Sequence, residues 1–278
     1  MLWDYSARFV KRCDMPMMWT VCYLITILSC IIGTICGMGG GIIIKPVLDA
    51  TGLMPVSTIT FLSGCTVIAM AMWSIGKSLL KGESELEMRT TGVLAVSAAA
   101  GGLLGKQLFA LTAGLFADRN TAGGVQAALL LVATFATLIY TLRTDRLSSR
   151  HIASPWANLI IGLLLGLLGA FLGIGGGPFN VAVLCYFFSM PTKRAAQNSL
   201  LIVLFSQLAS TMKTVLFDGA PMIRPEVLLL MMLAGILGSE IGRLINRKID
   251  NRQATICLEC AMLLIMGISM YNIVQFFA

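Results

Sequence analysis

The sequence predicts an all-α polytopic membrane protein made of two homologous repeats, each with four long transmembrane helices and one short, glycine-started half-helix. Three observations lead there. The 278 residues are 57% hydrophobic and only 12% charged, with a mean hydropathy of +0.87. A soluble domain carries about 25% charged residues, so this chain could not cover a water-facing surface. Apolar runs of about 20 residues, the length that spans a hydrocarbon core of ~30 Å, recur throughout. The chain also repeats itself. Shifted by 136 positions, Gly33 meets Gly169, Gly37 meets Gly173, and Gly39, Gly40 and Gly41 meet Gly175, Gly176 and Gly177. In the same register Met54-Pro55 meets Met190-Pro191, Ser63 meets Ser199 and Lys77 meets Lys213. One further residue of shift aligns Gly101 and Gly105 with Gly238 and Gly242.

Residues 1–16 read as an amphipathic segment for the membrane surface, with Leu2, Trp3, Phe9 and Val10 set against Asp4, Arg8, Lys11 and Arg12. The apolar run behind those basic residues is too long for a signal-peptide core and lacks a small-residue cleavage site, so it reads as a retained helix. Repeat 1 covers 17–143, with helices over about 17–36, 57–80, 90–114 and 122–143 and the short segment at about 42–53. The basic stretch 144–154 is the linker. Repeat 2 covers 155–278, with helices over about 155–172, 193–217, 226–246 and 253–277 and the short segment at about 178–189.

The short segments decide the topology. Twelve residues at 1.5 Å each give ~18 Å, too little for the hydrocarbon core. A glycine run is a poor helix, and irregular backbone at membrane depth needs protein or a wet cavity around it. Each block therefore starts a half-helix inside the membrane. If the half-helix turns back, the repeats are inverted. The cytoplasmic loops then hold twelve basic residues (Lys77, Lys81, Arg89, Arg143, Arg146, Arg150, Lys193, Arg194, Arg243, Arg247, Lys248, Arg252) and the outside holds six. If it continues across, the repeats are parallel and the split is eleven to seven. The positive-inside rule favours the inverted arrangement, with Arg8, Lys11 and Arg12 counting against it.

A helix N-terminus carries unpaired N–H groups and about half a positive charge, and glycine lets a ligand approach the backbone. Two such ends meeting at the midplane make an anion site of the kind found in secondary transporters. Gly39, Gly40, Gly41, Gly175, Gly176 and Gly177 are the candidate substrate-binding residues. The alternative use of glycine, close helix packing, suits Gly162, Gly166 and Gly169 better. Lys45, in an otherwise apolar half-helix, is a costly charge at that depth and a further binding candidate; Asp49 stands one turn on, where it can pair with it. Ser63, Asn180, Gln197, Asn198 and Ser199 are polar side chains in apolar surroundings that need partners, either a ligand or a neighbouring helix. Asp49 and Glu259 are the candidates for coupling to an ion. On this reading Lys45→Ala weakens anion affinity, and Gly176→Leu abolishes binding without disturbing expression.

The expected partners are a small anion and the lipid bilayer. The net charge of +7 sits in loops between apolar runs, which argues against nucleic acid. Cys257 and Cys260 have redox or zinc spacing but no second pair, and His151 is the only histidine. No metal and no cofactor is expected.

The paired blocks Gly37-Met-Gly-Gly-Gly41-Ile-Ile-Ile-Lys-Pro46 and Gly173-Ile-Gly-Gly-Gly177-Pro resemble the signature of the sulfite exporter TauE/SafE family of membrane permeases, over about Tyr23 to Val274. The resemblance implies transport of small sulfur-containing anions, such as sulfite or organosulfonates, across the bacterial inner membrane, and no enzymatic activity. It implies that the six block glycines line the substrate site. The second half departs from the pattern: Pro178 follows the glycines directly, and Ala182 stands where the first half has Pro46. Two other classes compete. An intramembrane lipid-pyrophosphate phosphatase would need clustered acids and an Arg-Ser pair, of which the candidate loops offer only Asp49. A passive anion channel would favour basic pore rings, whereas midplane half-helices favour a carrier.

Overall fold

The computed structural model describes residues 16–51, 54–82, 85–115, 119–143, 154–219, 221 and 223–277. The amphipathic segment expected over 1–16 and the linker expected over 144–154 lie outside these residues, apart from Pro16 and Ser154. Among the described residues there are ten α-helices and no strand: α1 (Pro16–Cys36), α2 (Gly41–Thr51), α3 (Val56–Leu80), α4 (Met88–Leu115), α5 (Arg119–Leu142), α6 (Pro155–Phe171), α7 (Pro178–Phe188), α8 (Thr192–Lys213), α9 (Pro225–Asn246) and α10 (Asn251–Phe277). A π-helical segment, Thr214–Gly219, continues α8. Seven helices are long and apolar enough to cross a membrane. Helix α6, which starts at Pro155 and ends at the second glycine block, has 17 residues, or ~26 Å.

The glycine blocks turn the chain back on itself. Gly37 and Gly39 have φ of 70° and 71°, and Gly173 and Gly175 repeat this at 71° and 73°, a left-handed conformation that costs other residues energy. The Met38 N–H donates to Gly33 C=O at 3.0 Å, and the N–H groups of Ile174 and Gly175 donate to Gly169 C=O at 3.1 and 2.9 Å. A Cβ on Gly33 would lie 2.6 Å from Gly39 C and Gly40 N, and one on Gly169 would lie 2.7 Å from Gly175 C. Each block thus folds against the helix it has just left. The half-helices α2 and α7 start from these turns, and each has 11 residues. Pro55 (ψ 142°) and Pro191 (ψ 150°) are extended and start α3 and α8, as the residues preceding a helix must be.

Small residues bring the long helices together. A Cβ on Gly162 or Gly166 would collide with the backbone of Leu94 or Ala98, and one on Gly101 or Gly105 with that of Leu163 or Leu167, so α4 and α6 pack backbone to backbone. Gly238 and Gly242 do the same for α9, against Ile27 and Ile31 of α1. This is the close approach that small residues permit in membranes. Helices α3 and α8 pack against each other, as do α5 and α10, and α3 also packs on α9 and α8 on α4.

The C-terminal ends of α1, α3 and α9 meet the N-terminal ends of α4, α8 and α10 at one end of the bundle. Gly37 abuts Ala196, Asn198 binds the turn before α4, and Lys193 Nζ donates to Ile249 C=O at 2.8 Å. Glu240 there accepts from Arg243 Nη2 at 2.7 Å and from Trp73 Nε1 at 2.8 Å, the internal pairing the i, i+3 spacing suggests, with Lys77 at 3.9 Å.

Candidate functional site

The two glycine blocks converge where α3 and α8 cross. A Cβ on Gly39 would lie 3.3 Å from Cγ1 of both Val67 (α3) and Val203 (α8). One on Gly41 would lie 2.9 Å from Ser63 Oγ and 3.3 Å from Ile174 C=O, and one on Gly177 would lie 3.1 Å from Ile42 Cδ1. Residues 39–46 and 172–181 are all buried. Backbone N–H groups buried in this way are nearly always paired. Here the amides of Gly39, Gly41 and Ile42, and those of Gly176, Gly177 and Phe179, make no hydrogen bond among the described residues. Gly40 N–H meets only the Met70 thioether, at 3.2 Å, a weak acceptor.

Polar side chains stand around these amides. Asn180 is fully buried and neither end of its amide has a partner; its Nδ2 would be 2.6 Å from a Cβ on Gly176. Ser199 is equally buried with its hydroxyl unpaired, and Ser63 Oγ donates to Gly41 C=O at 3.5 Å. Gln207, 4% exposed, lays its amide against Gly175 with Nε2 unpaired. Sequence reasoning passed over Gln207. Its signal was the spacing Ser199, Val203, Gln207, which puts all three on one face of α8.

Lys45 is 4% exposed, and its Nζ pairs with Asp49 Oδ2 at 2.7 Å. Its Cε would be 2.9 Å from a Cβ on Gly173, so the pair lies beside the second block, on the side away from Ala196. Asp49 Oδ1 has no partner. Glu259, half-buried on α10, makes no hydrogen bond or ion pair among the described residues. Asn272, also on α10, donates to Pro46 C=O at 2.8 Å and ties α10 to the half-helix.

Gln197 and Asn198 face the basic end of the bundle. Asn198 Oδ1 accepts from Glu87 N–H at 2.9 Å and Thr91 Oγ1 at 2.7 Å, and its Nδ2 donates to the carbonyls of Glu85 at 3.2 Å and Arg194 at 2.8 Å. An asparagine amide has those four positions and no more. Asn198→Ala is expected to cost about 2–4 kcal/mol of stability and to leave anion affinity unchanged, as thermal unfolding and a binding isotherm on the same sample would show. Gln197 accepts from Glu85 N–H at 3.1 Å and lines a small open cleft together with Thr34, Ser74, Ser78, Arg243 and Asn246. Thr34 Oγ1 and Asn246 Oδ1 in that cleft have no hydrogen-bond partner. Thr34 is three residues from Gly37, so the cleft leads from the basic end to the edge of the first block.

A family model described as "Sulfite exporter TauE/SafE" matches residues 22–270. The chain belongs to the sulfite exporter TauE/SafE family. That match takes in both glycine blocks and every helix but the ends of α1 and α10. No curated protein and no solved structure matches the chain. The TauE/SafE family consists of membrane permeases, so this is a multi-pass membrane protein of a transporter family, with two buried, unpaired rows of backbone donors at its centre.

Proposed function

We propose that the protein is a secondary transporter of small sulfur-containing anions, such as sulfite or an organosulfonate, in the bacterial inner membrane. The observation that carries this reading is the set of buried amides at the starts of α2 and α7 without partners. Groups of that kind cost stability unless something binds there, and an anion is what a helix N-terminus binds. The family name supplies the chemical class.

The transport cycle follows from two inverted halves, α1–α5 and α6–α10, moving against each other. The packing supports that relation, because contacts come in exchanged pairs: α1 on α9 with α6 on α4, α3 on α9 with α8 on α4, and α2 on α10 with α7 on α5. Gly37 abuts Ala196 as Gly173 abuts Thr60, again one contact repeated with the halves exchanged. The chain reversal at each block leaves three full crossings per half, which inverts the second. The positive-inside rule then puts the basic end, with Lys77, Lys193, Arg194 and Arg247, in the cytoplasm. The cleft beside Thr34 is the cytoplasmic approach to the site, and the Lys45–Asp49 pair lies on the opposite, sealed side.

Labelled sulfite loaded into proteoliposomes is expected to exchange saturably with external sulfite. Saturable exchange identifies a carrier. Flux that does not accelerate with internal substrate would replace the carrier by a channel, and no flux of sulfite or a small sulfonate would remove the sulfur-anion reading.

A further inference from the structure

The two glycine blocks are alike in backbone and unlike in what surrounds them. We infer that the anion's charge is held chiefly at the second block, by the amides of Gly176, Gly177 and Phe179 with the side-chain amides of Asn180 and Gln207, and that this site selects singly charged oxyanions over doubly charged ones. The inference rests on the transporter reading above and says which anions that site accepts.

At the second block, Asn180 and Gln207 are 0% and 4% exposed, and both carry NH₂ groups without partners in contact with the glycines. They add side-chain donors to the helix-start amides at the same spot. Asn180 Oδ1, also without a partner, accepts the hydroxyl of a protonated oxyanion. The first block has none of this. Ile44 stands where the second half has Asn180, Ala71 stands where it has Gln207, and the Met70 sulfur covers Gly40 N–H at 3.2 Å. That block keeps its unpaired amides at Gly39, Gly41 and Ile42, but no side-chain NH₂ joins them, and Val67 lies beside it.

Charge selection follows from what the site lacks. The cations buried among the described residues are Lys45 and Arg243, and each is bound to a carboxylate, Asp49 at 2.7 Å and Glu240 at 2.7 Å. The start of α7 contributes about half a positive charge, and the amides contribute dipoles only. Desolvation of an ion grows with the square of its charge, so a dianion is about four times as costly to bring in as a monoanion. Dipoles that balance one charge do not balance two.

The test uses purified full-length protein in proteoliposomes, with labelled sulfite counterflow as the readout and two inhibitors of fixed charge. Methanesulfonate is expected to inhibit saturably, and sulfate to need at least tenfold higher concentration. Gln207→Met and Asn180→Leu are each expected to weaken methanesulfonate inhibition about tenfold or more, the loss of one hydrogen bond to a charged group. Gln207→Glu sets a negative charge against the anion and should abolish inhibition; its buried, unpaired carboxylate also lowers the melting temperature, so the neutral Gln207→Met carries the comparison of folded proteins. Equal potency of sulfate and methanesulfonate on the wild-type protein would overturn charge selection, whatever the variants do. Wild-type methanesulfonate affinity in Gln207→Met and Asn180→Leu would overturn placement on the second block while leaving the transporter reading intact. Absence of counterflow in the wild-type protein would instead defeat that underlying reading.

Discussion

Lys45→Ala is expected to destabilise the protein by about 3–5 kcal/mol, and Lys45→Met combined with Asp49→Leu to recover most of that loss. The single variant leaves a carboxylate 7% exposed among apolar neighbours, with Oδ1 already unpaired and Oδ2 stripped of its partner at 2.7 Å. The double variant removes both charges and fills the space with side chains of similar volume. Thermal unfolding in detergent measures the difference, at roughly 2–4 °C per kcal/mol for a chain of this size or somewhat smaller. The same pair of variants separates two roles for Lys45. A lysine that binds the anion would leave the double variant stable and unable to exchange sulfite. A lysine that seals the far side of the site against Asp49 would leave it stable and able to bind. Equal instability in the single and double variants would mean that the cost lies elsewhere than in the stranded carboxylate.

The helices were legible because their limits are chemical. Proline and glycine end the apolar runs, so the expected segments 57–80 and 226–246 differ from α3 (Val56–Leu80) and α9 (Pro225–Asn246) by single residues. Helix α8 was expected to run to 217; it changes to a π-helical segment at Thr214, which an apolar run continuing through Phe217 does not announce. Two features of the site were visible for a similar reason. Lys45 and Asp49 sit at i, i+4, where helical geometry alone brings them together, and glycines in a repeated spacing mark backbone rather than side-chain function. Of the partners of Asn198 only Arg194 is local; Glu85, Glu87 and Thr91 lie 113, 111 and 107 residues away in the chain, and no local pattern could name them. Gln207 shares a face of α8 with Ser199 and Val203, but what gives that face a meaning is Gly175 lying against it. The expectation that Gly176→Leu would remove binding without disturbing the protein is not kept. A Cβ there would be 2.6 Å from Asn180 Nδ2 and would collide with Val203, so leucine overpacks the core before it reaches any ligand.

Alanine at Gly37 is expected to be far more damaging than alanine at Gly173, although the two glycines share φ of 70° and 71°. Both substitutions incur the strain of a left-handed Cβ, about 1–2 kcal/mol. What the new methyl group meets is different. At Gly37 it collides with the backbone of Ala196 on α8, which moves only if the helix moves, adding about 1–3 kcal/mol or more. At Gly173 it meets Lys45 Cε at 2.9 Å and the Thr60 side chain at 3.2 Å, and the end of a lysine can shift. Thermal unfolding of Gly37→Ala and Gly173→Ala should therefore differ by at least ~1 kcal/mol; equal loss would mean that the backbone strain decides both. The comparison also bears on transport. On the proposed two-half cycle these two points are where each block touches the core helix of the other half, so motion of one half against the other would load them. The contact through Lys45 is compliant and the contact through Ala196 is rigid. Gly173→Ala, folded but wedged at the compliant contact, is expected to bind methanesulfonate as wild type and to exchange sulfite several-fold more slowly, because a single ground-state conformation is favoured over its alternative. Unchanged exchange in a well-folded Gly173→Ala would show that this contact stays fixed through the cycle.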